Sequence, residues 1–318
     1  MVSKIALEEH FLSPGLVEDW LPTVTGVPQA KADQLLQQLM DFGDRRLEAM
    51  NNAGIERAVL SISGPGVQIE RDTAAAVRKA QAANDFLALE IQQQPDRYSG
   101  FAHIALQAPG AAADELERCV RDLKFHGAMI NGHTNGQYLD DRALDPFWER
   151  VEALGTLVYL HPADPVVPAP VLDGHRALRR ATWEWGFETG SHALRVIFGG
   201  VFDRFPKAKL VLGHMGETLP YLLWRLDSRA KLYGVKLAKP PSQYIRENIS
   251  VTISGMYSVD PLYCAITALG PERVMFAADY PFESTEEAAA FMDSVPLDEE
   301  LRADIACYNA EKLLGLAY

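Results

Sequence analysis

Short apolar runs recur along the 318-residue chain, at 4–10, 57–63, 98–106, 127–132, 156–161, 209–214, 248–254 and 273–279. A run such as Leu157-Val158-Tyr159-Leu160 is apolar at every position rather than at alternate ones. Strands read that way when both faces are buried, the habit of parallel sheets covered by helices. The segments 45–52, 74–94, 111–123, 146–154, 189–204, 220–233 and 261–269 carry helical patterning between them. Pro95 closes the second of these helices, and Pro146 suits a first turn. Eight strands alternating with helices predict an α/β fold, a (β/α)8 TIM barrel formed as one domain over residues 1–318. The competitor is an open doubly wound sheet. The barrel is preferred because polar residues close nearly every strand: Glu8 and His10, Ser63, His103, Asn131 and His133, His161, His214, Ser254 and Asp279. A barrel focuses all its strand ends on one mouth, whereas an open sheet gathers ligands at one switch point. Residues 11–38 and the Pro-rich 164–174 read as long loops after strands one and five, suited to lids or subunit contacts.

Composition narrows the partners. Hydrophobic residues make up 48% and charged residues 23%, enough for a large buried core. A net charge of −13 argues against nucleic acid or an anionic membrane surface as the main partner. No apolar run of ~18 residues marks a transmembrane helix, and no signal-peptide core precedes the first strand. Cys119, Cys264 and Cys307 are scattered and form no CxxC pair, which suits a reducing, cytoplasmic setting.

The chemistry starts at Glu8-Glu9-His10. Alternate side chains of a strand share a face, so Glu8 and His10 look the same way. Taken singly, a strand-end His is more often a structural hydrogen-bonder, Asp279 an N-cap, and Glu8 an ion-pair partner. Convergence overturns those readings: Glu8, His10, His161 and Asp279 close strands one, five and eight. Such an O/N set suits one divalent ion, Zn2+ or Mn2+ first and Mg2+ next, with positions left open for substrate. Strand four ends without the Lys that would bridge two metals. His214, in Gly213-His214-Met215-Gly216-Glu217, reads as a catalytic imidazole oriented by Glu217. Arg225, eleven residues on, would share a helix face with His214 and bind a substrate carboxylate or reach a neighbouring subunit. Asn131 and His133 are weaker pocket candidates, while His103, His175 and His192 read as structural.

Several motifs together resemble a known family. Lys4-Ile5-Ala6-Leu7-Glu8-Glu9-His10-Phe11, Tyr159-Leu160-His161-Pro162, Val201-Phe202-Asp203-Arg204-Phe205-Pro206, Gly213-His214-Met215-Gly216-Glu217 and Ala278-Asp279-Tyr280-Pro281-Phe282-Glu283 are similar to the amidohydrolase-related aromatic acid decarboxylases. That group includes γ-resorcylate, 2,3-dihydroxybenzoate and 5-carboxyvanillate decarboxylases. The resemblance spans essentially the whole chain. It implies a TIM barrel, one divalent metal, a carboxy-lyase reaction, a small aromatic acid substrate and a homodimer or homotetramer. By motif, metal ligands fall on Glu8, His10, His161 and Asp279, the catalytic pair on His214 and Glu217, and the substrate-contacting Arg on Arg225. The Glu-x-His opening, unlike the His-x-His of hydrolytic amidohydrolases, favours decarboxylation. Departures touch the pocket. Segment 131–141 is shorter than in the resorcylate enzymes, strand seven ends Thr252-Ile253-Ser254-Gly255, and Ala163-Asp164 replaces an Arg-Asn pair.

The expected reaction is non-oxidative loss of CO2 from an ortho-hydroxylated benzoate, after protonation of the ring carbon that bears the carboxyl. The resemblance makes Asp279 the favoured proton donor, with His214 and Glu217 managing the phenol or relaying the proton, in a pocket near Phe11, Trp20, Trp183 or Phe282. The rival is a metal-dependent hydrolase of a lactone or amide, with Asp279 as base. A ligand-binding scaffold without turnover ranks last, because it leaves His214 and Glu217 unexplained.

Overall fold

The computed structural model of the chain describes residues 2–316. Eight parallel strands form the framework. They are β1 (Lys4–Phe11), β2 (Ile55–Ile62), β3 in two pieces (Tyr98–Gly100 and Ala102–His103), β4 (Gly127–Asn131), β5 (Leu157–His161), β6 (Lys209–Leu212), β7 (Ile249–Thr252) and β8 (Val274–Met275). Each pairs in parallel with the next, the ladder changing sheets inside β3. The ring closes by different means. Leu7 N–H donates to the Phe276 carbonyl (3.3 Å), His10 N–H to the Tyr280 carbonyl (2.8 Å), and Glu9 and Tyr280 form a parallel bridge. The chain is therefore a (β/α)8 barrel.

Two cores explain why the strands are apolar on both faces. Ile5, Leu7, Val59, Phe101, Met129, Leu157, Tyr159, Val211 and Met275 fill the barrel, stoppered by Cys307, Ala310 and Leu314 from the C-terminal segment. Intervening residues such as Ala6, Val158, Leu160, Leu210 and Leu212 face the outer helices. Each fully buried aliphatic side chain contributes about 1.5–3 kcal/mol. The three cysteines are free, and among the described residues no helix is long and apolar enough to cross a membrane.

Three sequence expectations need correction. Residues 11–38 are not an open loop: short helical turns lead into the helix Gln29–Leu39, whose Ala32, Leu35 and Leu39 are buried at helical spacing. Strand three stops at His103, because Asn84 takes over its backbone bonds, donating to the His103 carbonyl (2.9 Å) and accepting its N–H (2.8 Å). Strand eight holds ladder pairing at Val274 and Met275 alone. Asp279 lies four residues beyond it, at φ +60°.

Candidate metal centre

A bulge in β1 brings Glu8 to the mouth. Strict alternation would put Ile5, Leu7 and Glu9 inside the barrel, but the β1–β2 register shifts between Ala6 and Glu9. Glu8 and His10 turn inward as a result, and Glu9 turns out. Bulges commonly re-aim side chains next to active sites. Glu8 Oε2 then accepts hydrogen bonds from Tyr159 Oη (2.5 Å), Thr252 Oγ1 (3.3 Å) and Ser254 Oγ. Gly213 makes room, since a Cβ there would lie 2.7 Å from Glu8 Oε2. Burial raises the Glu8 carboxyl above its ordinary value, with His214 and His10 pulling the other way.

Glu8, His10, His161 and Asp279 are all buried, and one ligand atom from each lies within 4.8 Å of the others. His161 Nδ1 donates to the Pro162 carbonyl (2.9 Å), which leaves Nε2 facing Glu8 Oε1 at 3.5 Å. His10 Nε2 stands 3.2 Å from Asp279 Oδ1, and the two imidazoles pack edge to face at 4.6 Å. Glu8 Oε1, His10 Nε2 and Asp279 Oδ1 have no hydrogen-bond partner. Buried polar atoms are nearly always satisfied, so three orphans converging on one point fit a cation. Burial drives the His161 pKa down to about 3, aided by His10, so its ring is neutral, as a ligand must be.

His214 and Glu217 sit on a left-handed turn. His214, Met215, Gly216, Glu217 and Thr218 have φ of 50°, 56°, 79°, 52° and 66°. Glu217 Oε1 lies 2.8 Å from His214 Nδ1, and His214 Nε2 lies 3.8 Å from Asp279 Oδ2. Burial pulls the His214 pKa down, but the charges of Glu217 and Glu8, the nearby Asp279 carboxylate and the bond with Glu217 carry it well above its ordinary value. Burial would raise Asp279, yet the imidazoles of His10 and His214 facing it hold its carboxyl below the usual range. The same turn upsets the expected phase of Arg225. The right-handed helix starts at Leu219, so His214 does not lie on its face, and Arg225 is exposed on the outside of Leu219–Leu232.

Asn131 pairs with His161 across β4 and β5; its Nδ2 donates to the Ile62 carbonyl (3.2 Å), and its buried Oδ1 is unpartnered. His103 and His192 each accept a backbone N–H at 2.8 Å, from Val67 and Leu139. His133 Nδ1 accepts the Gly136 N–H (3.1 Å), and His175 is exposed. The aromatic pocket needs correction. Phe11 and Trp20 belong to the outer core and Trp183 is exposed, while the Phe282 ring stands 5.7 Å from His10. Sequence reasoning overlooked Tyr159, although counting back by two from His161 reaches it.

A buried Glu-His-His-Asp set at the mouth of a (β/α)8 barrel, with a His–Glu pair beside it, defines a metal-dependent barrel enzyme. The family comparison is more specific. The amidohydrolase family model matches residues 36–316, and the chain belongs to that family. It is 40% identical to a γ-resorcylate decarboxylase of Polaromonas sp. strain JS666 over 327 residues, covering 99% of each chain. A 2,6-dihydroxybenzoate decarboxylase solved with 2,6-dihydroxybenzoate superposes with a TM-score of 0.91 at 38% identity, over 99% of this chain and 100% of that one. A dihydroxybenzoic acid decarboxylase from Polaromonas sp. JS666, with bound manganese and the inhibitor 2-nitroresorcinol, gives 0.92 at 39%, over 99% and 98%.

Proposed function

We propose that the protein is a carboxy-lyase that removes CO2 without an oxidant from an ortho-hydroxylated aromatic acid of the dihydroxybenzoate type. Glu8, His10, His161 and Asp279 would hold one divalent metal, with Mn2+ favoured by the manganese of the Polaromonas relative. The observation that carries the reading is the convergence of three unpartnered buried ligand atoms within 4.8 Å of His161. Such a metal, when bound, supplies Lewis acidity that favours the substrate's phenolate.

The protein's own groups then manage one proton. His214 Nε2 stores it, held in the charged form by Glu217 on Nδ1. Asp279 Oδ2, 3.8 Å away, takes it up and delivers it to the ring carbon that bears the carboxyl. The ring becomes a dienone. As CO2 leaves, the electron pair of the breaking C–C bond returns to the ring and restores aromaticity. Asn131 Oδ1 is suited to accept a bond from a second ring hydroxyl, and Phe282 to pack against the ring.

Arg225 shares its helix with Tyr221 and Trp224, exposed at 82% and 76%, and Leu232, eleven residues after Tyr221 and on nearly the same face, is exposed at 62%. We read this face as an interface in a homodimer or homotetramer, with Arg225 directed at a neighbouring subunit. The three free cysteines favour the cytoplasm, and the closed ring of eight strands favours one barrel domain. Headspace CO2 assayed on metal-loaded enzyme tests the activity. Release of CO2 from hydroxybenzoates with an ortho hydroxyl, and no turnover of lactones or amides, is expected; the reverse pattern would refute the reading.

A further inference from the structure

The middle residue of Glu8-Glu9-His10 has no part in the site above, yet it is buried at 3% exposure. Glu9 turns outward from β1, away from the candidate ligands, toward the segment after β8. Its Oε1 accepts the N–H of Ala278 (2.8 Å) and its Oε2 that of Tyr280 (3.3 Å), the two residues flanking Asp279. Ladder pairing of β8 ends at Met275 and beyond it the segment pairs with β1 only at the Glu9–Tyr280 bridge, so the Glu9 carboxyl takes up N–H groups that no strand carbonyl accepts. Asp279 itself has φ +60°, a left-handed conformation that a non-glycine residue keeps when its surroundings hold it there.

Arg46 grips the same seam from the other side and is 1% exposed. Its Nη2 donates to the carbonyls of His10 (2.7 Å) and Gln38 (3.1 Å), and its Nε to that of Asp41 (2.7 Å). Its guanidinium lies 4.7 Å from the centre of the Tyr280 ring. Tyr257 Oη adds a bond to the Ala278 carbonyl (2.8 Å). Burying a carboxyl and a guanidinium is costly, and an apolar filling of equal volume would often serve stability as well. What an apolar filling would lack is acceptors for the amides on either side of Asp279 and a donor for the backbone of His10.

We propose that Glu9 and Arg46 are positioning residues, which lock the β1–β8 seam from outside the barrel and so set His10 and Asp279 in the geometry that binds the metal. The inference rests on the metal reading above. Its test reads Mn2+ binding directly, by the electron paramagnetic resonance signal of free Mn2+, so absence of CO2 release would count against the decarboxylase reading alone.

Glu9→Gln keeps the shape but offers one acceptor and sets an NH2 against the second amide. It is expected to weaken Mn2+ binding about tenfold or more and to lower kcat with little change in KM. Lys4→Met is the control. It breaks the half-buried ion pair of Lys4 with Asp293 (2.9 Å), which is outside this seam. It is expected to lower Tm while leaving the Mn2+ Kd within about twofold. Tyr257→Phe, which deletes one bond to the segment, covers the case in which Glu9→Gln does not fold; it should weaken Mn2+ in the same direction by a smaller factor. Wild-type Mn2+ affinity in folded Glu9→Gln or in Tyr257→Phe, or an equal loss in Lys4→Met, would overturn the proposal.

Discussion

Glu8 illustrates how one residue acquires a role from its neighbours. Its Oε2 is taken by Tyr159, Thr252 and Ser254, so Oε1 alone is left to face the metal position. Tyr159→Phe removes the Tyr159 hydroxyl and should weaken metal binding about 10–100-fold, measured by Mn2+ titration. His161→Ala is expected to lose the metal outright, read by metal analysis of the folded protein. Asp279→Asn should fold but lose at least about 100-fold in kcat, because no carboxyl remains to pass the proton. Two histidines outside the site make a separate prediction about pH. Burial drives His103 to about 3, and burial with His133 and Arg195 drives His192 to about 3, while both accept backbone N–H groups. In the unfolded chain each would titrate near its ordinary value of about 6.5. Between those values the unfolded state binds more protons, so the stability they contribute is complete above about pH 6.5 and falls as the pH drops, by up to about 1.4 kcal/mol per unit for each. Tm measured from pH 7 to 4 should fall, and less steeply in His103→Gln or His192→Gln.

At the level of elements, strands and helices were largely legible, and departures occur where a side chain does the work of backbone. Asn84 ends β3 by taking both backbone bonds of His103. Glu9 serves the segment after β8 in the same way. Neither shows in a hydrophobic pattern, because the partner is distant in sequence. The turn from His214 to Thr218 is the sharpest case. Its spelling with two glycines marked a turn, but five consecutive left-handed residues, four of them non-glycine, were not legible. Those angles put Glu217 beside His214 and break the phase that would have aligned Arg225 with it. Gly216 has φ +79°, and a Cβ on it would lie 2.8 Å from Val251 Cγ1. Gly216→Ala should cost about 1–3 kcal/mol, read as a lower Tm, and reduce kcat by moving the His214–Glu217 pair.

For the whole molecule, the exposed aromatic face of Leu219–Leu232 and the net charge of −13 pull in opposite directions. Covering Tyr221 and Trp224 would release apolar surface from water, while like charge limits association to surfaces that fit. If the proposed oligomer forms through this face, Trp224→Glu with Tyr221→Glu will shift it to a smaller species in analytical ultracentrifugation; an unchanged mass would refute this face as the interface. Over the mouth, Arg180 donates to the Thr23 carbonyl and pairs with Asp164 (3.1 Å), tying together the segments that follow β1 and β5. The order of strands and helices, the doubly buried sheet and the identity of the four candidate ligands follow from the sequence alone, because they depend on local periodicity and on which residues close each strand. The inward turn of Glu8, the left-handed conformations of Asp279 and the His214 turn, and the placement of Arg225 outside its own barrel were decided by the tertiary structure. Each depends on bonds between residues far apart in the chain, and such bonds leave no periodic mark.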